Sequence, residues 1–364
     1  MPDLAGYGYQ KCLRVCGPDG RTCNEPMRCK PEVSSGLIVE QYTCPKCGSE
    51  YTNRINPGDK STPKSASPYE RREDELVVGD VTLSICSEDA PDGSYIPQEQ
   101  FFVYRPEVEL VAQAVATAEP VMLLGDAGCG KTQLVEWLAC QTRTPLFRVN
   151  LDEQVTSDDL RGNYESRAGE TVGVPGMLTV AMERGLWLLA DEANAMTPGQ
   201  KMFWHSVLDR RMLSIPALKK TVWAHPDFRL FFCQNPTAKG LYAGTSEDNE
   251  AFRDRFTYWI RLPYLSPEDE LKVVLHHAPG LKFELAQKFI RAAGEVRRAN
   301  DSTPPRYDGT FSTRAVIRWA MLAIKWGVKR GAELALLSRL EPRDREAMVN
   351  IVKLIVPEVD EVQP

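Results

Sequence analysis

The 364 residues carry a formal net charge of −6, with 43% hydrophobic and 26% charged side chains, enough apolar content to bury the cores of two or three domains. No large basic block is present, which argues against a passive nucleic-acid coat, and no apolar run approaches the roughly 20 residues that cross a bilayer. The first residues lack a basic-then-apolar signal pattern, so the expected location is the cytoplasm, with no membrane partner.

Ten cysteines would be unusual there as disulfides, and six of them fall within the first 47 residues, where metal binding explains them better. Residues 1–56 are therefore read as a Cys-rich zinc module. Cys44-Pro-Lys-Cys47-Gly48 is a tight knuckle with the spacing of half a tetrahedral Zn2+ site. Two pairs compete for the other half. Cys12 and Cys16 would complete one four-cysteine site, while Cys23 and Cys29, or a cluster shared by all six, are the alternatives. His205, His225, His276 and His277 all lie far along the chain. About 50 residues bury too little core to fold without the metal. Such modules bind nucleic acid or protein partners.

Residues 57–77, rich in Pro, Ser and charge, are expected to be a linker, and residues 78–105 a connector of short strands and turns. From 106 to 265 apolar strand-like runs alternate with helical ones, which predicts an α/β nucleotide-binding domain with a five-stranded parallel sheet. The predicted strands are 121–124, 146–149, 186–190, 228–233 and 258–262, each nearly continuously apolar or aromatic, as a sheet buried on both faces requires.

The stretch Gly125-Asp126-Ala127-Gly128-Cys129-Gly130-Lys131-Thr132 follows the first of these strands and opens a helical run. It is a phosphate-gripping loop. Glycines let backbone N–H groups converge on a β-phosphate beside the positive end of the helix, Lys131 reaches the β- and γ-phosphates, and Thr132 ligates Mg2+. An ordinary glycine turn before a helix is the competing reading. About 60 residues on, the strand 186–190 ends in Asp191 and Glu192. There Asp191 can hold the Mg2+ water shell and Glu192 can polarise an attacking water, although acids also cap strands for purely structural reasons. ATP with Mg2+ is the implied ligand.

From 266 to 364 the chain reads as helices only, a small bundle with its apolar spacing clearest over 283–296, 313–328 and 345–356. Cys86, Cys129, Cys140 and Cys233 are scattered and are read as core or loop residues without a metal.

The chain from Phe101 to Trp319 resembles the MoxR and dynein-related branch of AAA+ ATPases, including the ATPase subunit of aerobic cobaltochelatase. Beyond the two nucleotide motifs the resemblance rests on Thr156-Ser-Asp-Asp-Leu-Arg-Gly162, Gly176-Met-Leu-Thr-Val-Ala-Met-Glu-Arg-Gly185, Ala224-His-Pro-Asp-Phe228, Gln234-Asn235-Pro236, Phe252-Arg-Asp-Arg-Phe256 and Ser312-Thr-Arg314. It implies a homo-oligomeric ring, a hexamer, with nucleotide between subunits, and a helical lid over residues 266–364. It also assigns roles. Asn235 would orient the lytic water and sense the γ-phosphate, and Arg314 would be the second sensor, coupling the γ-phosphate to the lid. Arg255 would be the arginine finger, with Arg253 as competitor, because a planar guanidinium neutralises transition-state charge.

In that family a hairpin facing the ring pore is inserted in the second helix, where residues 163–175 lie, and residues 211–223 predict a second hairpin. Tyr164, Arg167 and Trp223 would then touch substrate, unless both hairpins only pack against neighbouring subunits. The function this implies is remodelling of a client or adaptor protein, such as one with a von Willebrand A domain, or assistance in metal-cofactor insertion. The alternative is a nucleic-acid motor recruited by the zinc module and similar to restriction-system proteins of the same branch.

Overall fold

The computed structural model describes residues 28–34, 37–43, 50–55, 69–87, 92–152, 154–167, 170–236, 250–300 and 311–359. The chain forms two compact units, Met1–Ser67 and Pro68–Pro364.

In the first unit β1 (Arg28–Ser34), β2 (Leu37–Thr43) and β3 (Glu50–Ile55) form an antiparallel meander in the order β1-β2-β3. Ser34 pairs with Leu37 at one end of the first ladder and Thr43 with Glu50 at one end of the second. Cys12, Cys16, Cys23, Cys44 and Cys47, assigned to zinc from the sequence, lie outside the described residues, as does the side chain of Cys29 in β1.

The second unit opens with β4 (Tyr69–Arg71), β5 (Glu75–Val78) and β6 (Val81–Ser84), another antiparallel meander. This corrects the reading of residues 57–77 as linker over its last nine positions. The run of charges there hides alternating burial, for Leu76 and Val78 are both 0% exposed and pack with Val108, Val111 and Ala112 of α1 (Glu107–Thr117). Each such side chain contributes about 1.5–3 kcal/mol by leaving water. Tyr69 also sits edge-on to Trp137, with ring centroids 5.0 Å apart.

The central sheet is built from β7 (Val121–Leu124), β8 (Leu146–Asn150), β11 (Trp187–Asp191), β14 (Arg229–Gln234) and β15 (Tyr258–Arg261). All five expected strands are present, in the order β15-β7-β14-β11-β8 and parallel throughout. Strand periodicity explains the burial on both sides. Val121, Leu123, Trp187, Leu189 and Phe231 face the core shared with α1 and α2 (Lys131–Gln141), while Met122, Leu188, Ala190, Leu230 and Phe232 face the opposite core.

That opposite layer contains α3 (Ser157–Arg161), whose N-terminus is closed by a reciprocal Thr156–Asp159 capping box, then β9 (Gly162–Arg167) and β10 (Glu170–Pro175) paired as a hairpin, and α4 (Met177–Arg184). After β11 come α5 (Pro198–Phe203), α6 (His205–Arg210) and a second hairpin of β12 (Met212–Ile215) and β13 (Lys220–Trp223). Both hairpins fall where the sequence predicts them. The turn of the second hairpin packs against the base of the first: a Cβ added to Gly173, which pairs with Tyr164, would lie 2.3 Å from the carbonyl oxygen of Ala217, and Tyr164 donates a 3.4 Å hydrogen bond to the Pro216 carbonyl. Tyr164 and Trp223 remain 54% and 65% exposed.

Beyond α7 (Glu250–Arg253) and β15 the chain is helical, with α8 (Pro267–His277), α9 (Phe283–Asn300), α10 (Thr313–Trp326), α11 (Val328–Ala335) and α12 (Pro342–Ile355). They share one core around Phe289, Phe311 and Trp319, and the Phe289 and Trp319 rings stack 3.6 Å apart. Among the described residues no helix is long and apolar enough to cross a membrane.

Candidate active site

The carboxyl ends of β7, β14 and β11 lie side by side, so the sheet register delivers the phosphate-type loop, Asn235 and the Asp191–Glu192 pair to one edge. Ligands of open parallel sheets bind at this edge. The loop is fixed to the sheet from below. The Gly125 N–H donates to the Gln234 carbonyl at 3.2 Å, and a Cβ at Gly125 would lie 2.4 Å from the Leu262 carbonyl, a backbone atom that has no room to move. Buried Arg105 grips the loop from the side by donating to the Cys129 and Pro263 carbonyls at 3.0 and 2.9 Å, while Tyr264 donates to the Ala127 carbonyl at 3.0 Å.

Lys131, the first residue of α2, is 8% exposed, and its Nζ donates to the carbonyls of Gly125 (2.7 Å) and Asp126 (3.3 Å) and to Asn235 Oδ1 (2.9 Å). Asn235 presents its other end to the acid, with Nδ2 3.3 Å from Glu192 Oε2. The orientation of that amide follows from charge: only the oxygen can face a cation and only the NH2 a carboxylate. The Asn235 N–H is in turn held by Asn194 Oδ1 at 3.2 Å.

Asp191, buried at the end of β11, accepts from Thr132 Oγ1 on Oδ2 at 2.8 Å and from the Glu192 N–H on Oδ1 at 3.0 Å. Glu192 has left the strand, with φ +58° in the left-handed region and its side chain exposed. Such a backbone costs a non-glycine residue about 1–2 kcal/mol and here turns the carboxylate out of the sheet toward the cavity.

The cavity has a volume of about 890 Å³ and is lined by residues 127–132, Asp191, Glu192, Asn235 and Arg314, among others. Nothing lies within 4 Å of where a Gly130 side chain would project, and Ser312 and Arg314 of the helical bundle close over Gly128. These residues fit a nucleoside triphosphate with Mg2+: a glycine cradle at a helix start, a buried ammonium, and a hydroxyl beside a carboxylate, both hard oxygen donors. Among the described residues no group of three or more His, Cys, Asp and Glu could hold a metal ion, and Mg2+ between one carboxylate, one hydroxyl and phosphate oxygens needs none.

The lid is tied to the same loop through a buried ion pair. Glu270, 1% exposed, accepts two bonds from Arg297 at 2.8 and 2.7 Å and one from Thr313 Oγ1 at 2.6 Å. Arg297 lies over the Tyr264 ring, 3.9 Å from its centroid. A buried carboxylate is tolerated only with such complete pairing, and the pairing fixes the start of α10 next to Arg314.

Of the residues assigned to the nucleotide from the sequence, Gly125 and Asp126 lie behind the cavity wall, and the two finger candidates, Arg253 and Arg255, do not line it. Arg255 bonds Asp209 Oδ2 at 3.0 Å and also the Ala251 carbonyl, and Arg253 lies over the Trp259 ring. Three contributors escape the sequence reading: Arg105, Asn194 and Arg148. Arg148, on β8, donates to Asp191 Oδ2 at 2.9 Å and reaches Glu136 Oε1 at 3.5 Å. A charged residue inside an otherwise apolar predicted strand was the available signal.

A parallel sheet in this strand order with a Lys-Thr phosphate loop, a strand-terminal acid pair and an Asn hydrogen-bonded between the lysine and the acid defines a P-loop nucleoside triphosphatase with an appended helical bundle. Residues 120–256 match the AAA domain of the dynein-related subfamily, and residues 270–355 match the CbbQ/NirQ/NorQ C-terminal family. The chain is 30% identical over 220 residues to the protein CbbQ of Hydrogenophilus thermoluteolus, covering 60% of this chain and 79% of that one. It is 29% identical over 254 residues to the protein NorQ of Paracoccus denitrificans, covering 69% and 88%. Similarity to the midasin of Dictyostelium discoideum, 32% over 212 residues, takes in 57% of this chain and 4% of that far longer protein. The chain belongs to the MoxR-type AAA+ ATPases.

Proposed function

We propose that this chain hydrolyses ATP with Mg2+ as one subunit of a homo-oligomeric ring, a hexamer, and uses the cycle to remodel a client protein. The observation that carries the reading is the Lys131–Asn235–Glu192 chain of hydrogen bonds, which sets a cation for phosphate, a polar sensor and a base along one wall of the cavity. Lys131 and the loop N–H groups bind the β- and γ-phosphates, Glu192 accepts a proton from the attacking water, and Asn235 orients that water. Mg2+, held by Thr132 and Asp191, supplies charge neutralisation on the phosphate oxygens. Arg314 carries the state of the γ-phosphate into the lid. Exposed Tyr164 and Trp223 on the paired hairpins are the client contacts.

Arg255 does not line the cavity of its own subunit, as a finger acting on a neighbour's nucleotide requires, and this supports the ring. Mixing Arg255→Ala subunits with Glu192→Gln subunits should restore part of the ATPase activity, because some interfaces then pair an intact Glu192 with an intact Arg255. No recovery at any ratio, in rings shown to be mixed, would count against action between subunits.

For the first unit the proposal remains one zinc per chain on Cys44 and Cys47, which fall between β2 and β3 in the sequence, completed by Cys12 and Cys16 or by Cys23 and Cys29. Metal analysis of the purified full chain should return about one zinc. Cys44→Ser with Cys47→Ser should remove it while ATP hydrolysis largely survives; a metal-free native chain would exclude the site.

A further inference from the structure

One oxygen of the Asp191 carboxylate, Oδ2, is fully committed. Its Oδ1 accepts from the Glu192 N–H, and its Oδ2 accepts from both Thr132 Oγ1 at 2.8 Å and Arg148 Nη2 at 2.9 Å. A carboxylate oxygen has two lone pairs, so Oδ2 has no acceptor site left for a water of a metal shell. Thr132 can keep its bond while a lone pair of its oxygen ligates the metal. The Arg148 guanidinium cannot stay, because it would set a second positive charge beside the ion and close Oδ2, the oxygen next to Thr132, to the ion's waters.

The two partners also differ in freedom. The Asp191 side chain is 9% exposed and the Arg148 side chain 47%, so the arginine can swing while the acid cannot. A second acid waits for it, since Glu136 Oε1 on α2 is already 3.5 Å from Nη1.

We propose that Arg148 is an internal counter-ion that Mg2+ must displace from Asp191, moving its guanidinium onto Glu136, so that metal uptake competes with an ion pair inside the site. The buried acid is then never without a cation between turnovers. The proposal rests on the assignment of Mg2+ to Thr132 and Asp191.

The test is a metal titration of the full-length protein, read without turnover. Mn2+ is titrated by electron paramagnetic resonance in the presence of a saturating nonhydrolysable ATP analogue, with wild type, Arg148→Gln, Glu136→Gln and Asp191→Asn compared. Removing the competitor should lower the free Mn2+ at half-saturation about threefold to tenfold in Arg148→Gln. Removing its second resting place should raise that concentration in Glu136→Gln, and this opposite sign is something a general loosening of the fold would not give. Analogue affinity in EDTA should be the same for wild type and Arg148→Gln. Unchanged half-saturation in both variants, or a rise in Arg148→Gln, overturns the counter-ion. If Asp191→Asn binds Mn2+ as wild type does, the metal assignment itself has failed; if it loses Mn2+ while the other two variants behave as wild type, only the counter-ion has. Should Arg148→Gln fail to fold, Glu136→Gln decides alone, its unchanged half-saturation counting against the proposal.

Discussion

Lys131→Ala should lose ATP binding, with affinity falling about 30-fold to several thousandfold, the range for truncating one partner of a buried, hydrogen-bonded charge pair. Lys131 is held ready by the Gly125 and Asp126 carbonyls and by Asn235 Oδ1. None of these is a carboxylate, so a phosphate oxygen entering the cradle meets an ammonium that no fixed anion neutralises. The truncation also strands Asn235 Oδ1 and frees the amide to rotate away from Glu192, so any residual turnover should fall further than binding does. Fluorescence titration with a labelled nucleotide, beside a thermal melt to confirm folding, checks this. Binding within a fewfold of wild type would remove Lys131 from the phosphate site.

Glu192→Gln should bind ATP as wild type does yet turn over about 10²- to 10⁴-fold more slowly, the span typical of a lost general base. The substitution is nearly isosteric, and a glutamine oxygen can still accept from Asn235 Nδ2, which lies 3.3 Å from Glu192 Oε2. Only basicity is removed. The Glu192 side chain is exposed, so stability should hardly change. Rapid-quench measurement of a single turnover separates this from slow product release, and near-wild-type chemistry would exclude Glu192 as the base.

The central sheet was legible because strands buried on both faces leave a continuous apolar run, as in Leu186 to Ala190, that no surface element imitates. The loop and the acid pair were legible because each sits directly at a strand end. What escaped the sequence depends on contacts between distant residues. Arg105 meets its carbonyl partners 24 and 158 positions away. Nothing local marks it. The strands β4 and β5 were hidden because two buried side chains, Leu76 and Val78, sit among exposed charges, and only the packing of α1 against them gives the alternation its meaning. In the bundle, the apolar run read over 313–328 ends as a helix at Trp326, where Gly327, with φ +82°, closes α10, and α11 over Val328–Ala335 was not among the runs read from the sequence.

The contact between Gly173 and Ala217 makes the two hairpins one mechanical part with two legs. One leg runs from β10 through α4 into β11, which ends in the acid pair, and the other runs from β13 into β14, which ends beside Asn235. A load on either hairpin therefore pulls on both strands, and these strands are hydrogen-bonded neighbours from Trp187 and Arg229 to Ala190 and Phe232. The gap between Glu192 and Asn235 is the distance at which the two legs converge. A single methyl group at position 173 would push the β12–β13 turn off β10 and loosen the coupling of the legs without touching any residue that lines the cavity.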